Sequence, residues 1–239
     1  MAGGFVAAEE EAQELLAAAG SSPERLEALV ERRLTGEPLA WITGSVTFAG
    51  HVVAVDSGVY VPRWQTEVLA ARALARLPEG GVAVDVCTGS GALAVVLAAR
   101  ASHVYATDVS PAAVACARSN GVDAYEGDLL APLPRGLSVG LVCGVVPYVP
   151  TGELSLLQRD TFTFETPLSY DGGPDGCALL RRALSGAARV LKPGGALLLE
   201  LGGDEAALIA DDLEYAGYVE VAVLTDEDGD VRAVEATKA

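Results

Sequence analysis

Apolar and acidic residues alternate at helical spacing across residues 5–36, with one break at Gly20-Ser21-Ser22-Pro23. Ser22 suits an N-cap and Pro23 the first helical position, so the pattern predicts two short helices. Residues 41–61 change to short β-like runs: Trp41-Ile42, Ser45 to Phe48, Val52 to Val55 and Tyr60-Val61. Ala49-Gly50 between two of these runs is a hairpin signal.

From about residue 62 the pattern alternates helix and strand. Helix 64–77 precedes strand 82–87, and helix 91–100 precedes strand 103–107. Helix 111–119, opened by Ser110-Pro111, leads to a short strand near 122–125, and strand 139–146 follows a proline-rich loop. Helix 175–191 ends in Lys192-Pro193-Gly194-Gly195 before strand 196–201. Helix 204–216 and strands 218–224 and 231–236 close the chain. Such alternation predicts an α/β fold with a mostly parallel, Rossmann-like sheet covered on both faces. The last two strands, joined by the turn Asp226 to Asp230, are expected as an antiparallel pair at one edge. No internal repeat is visible.

Charge and cysteine usage narrow the function. The net charge is −17, from 33 acids against 16 bases, and Lys192 and Lys238 are the only lysines. No basic stripe exists, which argues against direct nucleic-acid binding. Cys87, Cys116, Cys143 and Cys177 are scattered without C-x-x-C spacing, as expected of reduced thiols in a cytoplasmic protein. The acidic start (Glu9, Glu10, Glu11, Glu14) does not resemble a secretory signal, and no apolar run approaches a membrane span. His51 and His103 have no partners at ligand spacing, so no metal is expected.

Chemistry concentrates where the strand 82–87 breaks into Thr88-Gly89-Ser90-Gly91 and a helical pattern begins at once. Glycines there let a backbone approach a ligand, and free helix N–H groups can bind it. A second strand ends in Asp108, 23 residues after Asp85, where a carboxylate meets the two hydroxyls of a nucleoside ribose. A dinucleotide fold would carry G-x-G-x-x-G, whereas this turn is Asp85-x-Cys87-x-Gly89-x-Gly91. An acid beside the turn repels a pyrophosphate but suits the cationic amino-acid end of S-adenosylmethionine. The bland alternative is a glycine turn that only packs helix on strand. Gly127-Asp128-Leu129 comes after the third strand, where an acid can meet an adenine amino group or simply cap the turn. Val145-Val146-Pro147-Tyr148 ends the fourth strand, over the expected cleft.

With Arg33-Leu34-Thr35-Gly36-Glu37-Pro38-Leu39, Val61-Pro62-Arg63-Trp64-Gln65-Thr66-Glu67, the Asp85 turn, Asp108, Pro147-Tyr148 and Asp171-Gly172-Gly173-Pro174-Asp175-Gly176, the chain resembles the release-factor glutamine methyltransferase family over about Arg32 to Asp230. The likeness is to a shorter branch of that family. It implies an N-terminal helical part, a β-hairpin, and a Rossmann-like domain that moves a methyl group from S-adenosylmethionine to a glutamine amide. Residues 1–40, 41–61 and 62–239 are the expected divisions.

The chain departs from that pattern in two places. The resemblance puts an asparagine at Val145, where it would accept a hydrogen bond from the substrate amide; valine cannot. A buried N–H without a partner costs about 1–3 kcal/mol. The N-terminal helical part, about 35 residues, is also roughly half what the resemblance implies. A methyltransferase acting on a small amine, guanidine or oxygen acceptor is therefore placed slightly ahead of one acting on release-factor glutamine. A cofactor-binding protein without catalysis comes third. The expected cofactor residues are Asp85, Cys87, Thr88, Gly89, Gly91, Asp108 and Asp128; the acceptor wall is Val146, Pro147 and Tyr148. Val145, Pro62, Arg63, Thr66 and Glu67 are expected at the substrate. Tyr148 also reads as a packed strand-end aromatic, Glu67 as a first-turn acid, and Glu200 as either structural or functional.

Overall fold

The computed structural model describes residues 7–157 and 163–239. Helices α1 (Ala8–Ala19) and α2 (Pro23–Leu34) form as expected, and Ser22 caps α2 by accepting from Arg25 N at 3.2 Å. Leu15, Ala19, Leu29 and Ile42 meet in a small apolar cluster between these helices and α3 (Leu39–Thr43). Strands β1 (Ser45–Phe48) and β2 (His51–Ala54) form the hairpin, with Ala49 (φ 46°) and Gly50 (φ 79°) both left-handed at its turn.

The remainder is α4 (Thr66–Arg76), β3 (Val82–Val86), α5 (Ala92–Leu97), β4 (His103–Asp108), α6 (Pro111–Ser119), β5 (Asp123–Glu126), β6 (Val139–Gly144), β7 (Val149–Pro150), β8 (Asp171–Gly173), α7 (Ala178–Val190), β9 (Leu191–Glu200), α8 (Glu205–Leu208), α9 (Ala210–Tyr215), β10 (Tyr218–Thr225) and β11 (Val231–Lys238). Seven strands build the main sheet in the order β10-β11-β9-β6-β3-β4-β5. The five from β9 to β5 run parallel, and β11 is antiparallel to both β9 and β10. Chain progression reverses between β3 and β6, so the crevice beyond their carboxyl ends is the topological switch point.

Apolar side chains cover both sheet faces. Leu180, Leu184, Ile209 and Leu213 pack on one face, and Leu69, Leu93 and Leu97 on the other. Phe48 and Val53 of the hairpin join the second cluster. Burying side chains of this size stabilises by about 1.5–3 kcal/mol each, which fixes the hairpin against the sheet.

Several expectations are corrected. Trp41-Ile42 lies in α3, closed by left-handed Gly44. Tyr60-Val61 is no strand: Val61 N donates to a Glu165 carboxylate oxygen at 3.0 Å, so its amide is satisfied outside any ladder. The helix expected over 204–216 breaks at Ile209 (φ −104°, ψ 5°), whose side chain is fully buried. The last two strands do form the expected antiparallel pair at one edge, with β10 outermost. The polar stretch from Asp171 contributes β8, which pairs in parallel with β7.

Candidate active site

A cavity of about 850 Å³ of empty space, partly open to solvent, lies at the switch point. Its walls come from the β3–α5 turn, the end of β4, the segment after β6, and two covering segments, 58–62 and 166–169. Phe48 reaches it from the hairpin.

On the β3 side, Asp85 is buried. Its Oδ2 accepts from Thr88 Oγ1 at 2.6 Å and from Ala94 N at 3.2 Å. The other oxygen, Oδ1, is buried with no hydrogen-bond partner among the described residues. Burial pushes the acid up to about 7, against the two donors that hold it down. A desolvated carboxylate with one oxygen unsatisfied fits a cationic ligand group. Asp108 accepts from Gly89 N and Ser110 N, each at 2.9 Å, and burial raises it above the ordinary carboxylate range. Cys87, Thr88 and Gly89 line the same wall. Cys87 is left-handed at φ 58°, a backbone conformation costing about 1–2 kcal/mol for a side chain with a Cβ.

The remaining expected residues divide. Val145, Pro147, Pro62 and Thr66 line the cavity. Val146 does not, because its side chain is fully buried in the core. Tyr148 backs the wall instead: a Cβ at Gly172 would stand 2.7 Å from Tyr148 Cα, and one at Gly176 would stand 2.3 Å from its carbonyl. That close approach is why the Asp171–Gly176 block needs its glycines. Gly91 (φ 87°) serves packing, since a Cβ there would stand 2.9 Å from Val122. Asp128 is off the wall, exposed and ion-paired with Arg182. Glu67 accepts from Ala49 N at 2.9 Å and so holds the hairpin turn.

Arg63 points to a partner distant in sequence. It pairs with buried Glu165 at 2.5 Å, bonds Tyr170 Oη at 3.0 Å, and lies 5.0 Å from the centre of the Tyr60 ring. Tyr170 also donates to Glu165. These contacts clamp the two covering segments together over the cavity. Phe48, Tyr60, Val109, Leu168 and Ser169 line it as well, and the sequence pattern does not mark them as site residues. Tyr60 carries the nearest signal, since it stands in the Tyr60-Val61-Pro62-Arg63 run, but its β-like neighbours point to a strand. Burial raises its phenol to about 12, so it stays neutral.

A glycine turn, two acids on adjacent strand ends and a roofed cavity at the switch point of a 3-2-1-type parallel sheet define a Rossmann-like methyltransferase whose cofactor is S-adenosylmethionine. Over 213 residues the chain is 40% identical to a release factor glutamine methyltransferase of Moorella thermoacetica, spanning 84% of this chain and 75% of that one. The chain belongs to the release factor glutamine methyltransferase family. It is also 36% identical over 205 residues to the 4-amino-L-phenylalanine/4-methylamino-L-phenylalanine methyltransferase of Streptomyces pristinaespiralis, with 80% of this chain and 70% of that one covered. Among solved structures, the E. cuniculi Mtq2–Trm112 complex, responsible for methylation of the eRF1 translation termination factor, shares the fold. Its TM-score is 0.58 at 22% identity, covering 76% of this chain and 99% of that one. No family model matches the chain.

Proposed function

We propose that this chain methylates the side-chain amide nitrogen of a glutamine in a peptide-chain release factor. The observation that carries the reading is one cavity in which Asp85 and Asp108 share walls with Val145, Pro147 and Thr66. Bound S-adenosylmethionine supplies an electrophilic methyl group. In this reading Asp85 holds the cofactor's ammonium, Asp108 accepts from its ribose hydroxyls, and Gly89 keeps that wall free of a side chain. Val145, Pro147 and Pro62 enclose the acceptor, and the clamp through Arg63 and Glu165 keeps water out. Positioning matters because an amide lone pair is delocalised, and aiming it is worth several kcal/mol.

The sequence alone puts a small metabolite first; the family and the names of its members support the reverse order. The mouth of the cavity supports it too. Val109 and Leu168 are 53% and 54% exposed on its wall. An open apolar rim suits a loop of a folded protein. In this reading residues 62–239 form the catalytic unit and 41–61 complete the site, since Phe48 and Tyr60 line it. No helix among the described residues is long and apolar enough to cross a membrane, and the reading puts the reaction in the cytoplasm.

A small amine acceptor is the second reading. It is favoured by the apolar side chain of Val145 and by the relative named for aminophenylalanine methylation. Transfer of labelled methyl from S-adenosylmethionine separates the two, run in parallel on purified release factor and on the low-mass fraction of a host extract. Label on the factor supports the first reading; label confined to small molecules supports the second.

A further inference from the structure

Thr66 and Glu200 form a buried polar pair on the acceptor side of the cavity. Thr66 Oγ1 donates to Glu200 Oε2 at 2.6 Å, and the residues are 3% and 7% exposed. Leu199 and Gly144 are register partners in adjacent parallel strands, so Glu200 and Val145 leave the sheet side by side. Thr66 lines the cavity with Val145 and Pro147. A threonine hydroxyl has one proton, and this one is committed to the carboxylate. Toward the cavity Thr66 is therefore an acceptor only, with its lone pairs free.

We propose that Thr66 Oγ1 accepts the hydrogen bond from the N–H of the methyl-accepting nitrogen, at the point where the methyl group crosses, and that Glu200 is the positioning residue that takes up the released proton. The inference rests on the methyl-transfer reading of this cavity but not on which nitrogen is the acceptor. As the nitrogen gains its methyl group, the electron pair of the breaking carbon–sulfur bond stays on sulfur. The nitrogen then carries one proton too many. That N–H proton passes to Thr66 Oγ1 while the threonine's own proton moves to Glu200 Oε2, so each oxygen ends with a balanced set of bonds. The apolar side chain of Val145 offers no acceptor, and the neighbouring pair supplies one. Burial raises Glu200 above the ordinary glutamate range, which makes it a better proton sink. The charged and titratable groups facing it are Arg232 from β11, Tyr60 from the covering segment and Tyr148 after β6.

Sinefungin, a cofactor analogue with an amine in place of the methyl-bearing sulfonium, tests this without an acceptor. Its affinity is compared with that of S-adenosylhomocysteine, which lacks both methyl and amine, by calorimetry on the full chain. The wild type is expected to prefer sinefungin. Thr66→Val is expected to lose at least about tenfold of that preference while S-adenosylhomocysteine affinity, the internal measure of folding, stays unchanged. Thr66→Ser is expected to restore it. Glu200→Gln, which can still accept from Thr66, should keep most of the preference but lower methyl transfer about a hundredfold and flatten its acid limb. An unchanged preference in Thr66→Val overturns the proposal. A parallel loss of both ligands in Thr66→Val, with Thr66→Ser normal, also overturns it, because the pair would then serve the part of the cofactor that both analogues share. If release factor takes no label yet Thr66→Val loses the preference, the acceptor assignment fails and this inference stands.

Discussion

In the proposed reading, Asp85 ties cofactor binding to pH. Its folded-state value of about 7 lies above the roughly 3.9 of an unfolded aspartate, so the native cofactor-free protein holds a proton that the unfolded chain has lost. Asp85 therefore favours the fold below about pH 4, and that contribution declines as pH rises to about 7. Cofactor affinity runs the other way, because only the ionised carboxylate pairs with an ammonium. Calorimetry with S-adenosylhomocysteine should give weaker binding at about pH 6 than at about pH 8, and Asp85→Asn should bind weakly at both. An affinity in the wild type that is flat with pH would remove Asp85 from the cofactor site. Asn120 is the residue-scale link between hairpin and glycine turn. Its Nδ2 donates to Ala54 O and Ser90 O, both at 2.8 Å, and its Oδ1 accepts from Ala54 N at 2.9 Å. Asn120→Ala is expected to cost about 1–3 kcal/mol. For a chain of this size that lowers the melting temperature by about 2–4 °C per kcal/mol; an unchanged melt would contradict the link.

At the scale of elements, the β7–β8 pair packs against Tyr148 behind the cavity wall, which the proposed reading makes the acceptor wall. A Cβ at Gly172 would stand 2.3 Å from Gly176 O as well as close to Tyr148 Cα, and neither main-chain atom can move alone. Gly172→Ala is expected to lower stability by about 1–3 kcal/mol and to abolish most methyl transfer while S-adenosylhomocysteine affinity holds. Transfer at the wild-type rate would show that the pair has no part in the wall. Legibility in the sequence depends on range. The β3 turn, Asp108, the Ser22-Pro23 and Ser110-Pro111 helix starts and the Ala49-Gly50 hairpin are written in local spacing. Arg63 with Glu165 and Thr66 with Glu200 are not, because the partners lie 102 and 134 residues apart and no periodicity relates them. Tyr60-Val61 reads as strand from its β-branched and aromatic residues, yet the Glu165 carboxylate takes the amide a ladder would have used. Asp128 has the right position in the chain, but Arg182 on α7 holds it outside the cavity.

At the scale of the molecule, a mostly parallel sheet has its switch point roofed by two segments far apart in the chain, 58–62 and 166–169. The hairpin brings Phe48 to the cavity from one side, and the Glu165–Tyr170 segment closes it through Arg63. The net charge of −17 gives the molecule a strongly acidic field. Val145 is one of the two places where this chain departs from its family resemblance, and Thr66 with Glu200 stands beside it. The most direct measurement is peptide mapping by mass spectrometry of release factor incubated with the enzyme and S-adenosylmethionine, for wild type and Val145→Asn. A single methyl on one glutamine with the wild type, equal or greater with Val145→Asn, is the expected result. Release factor left unmodified by both enzymes, with methylated small molecules in the same extract, would contradict it.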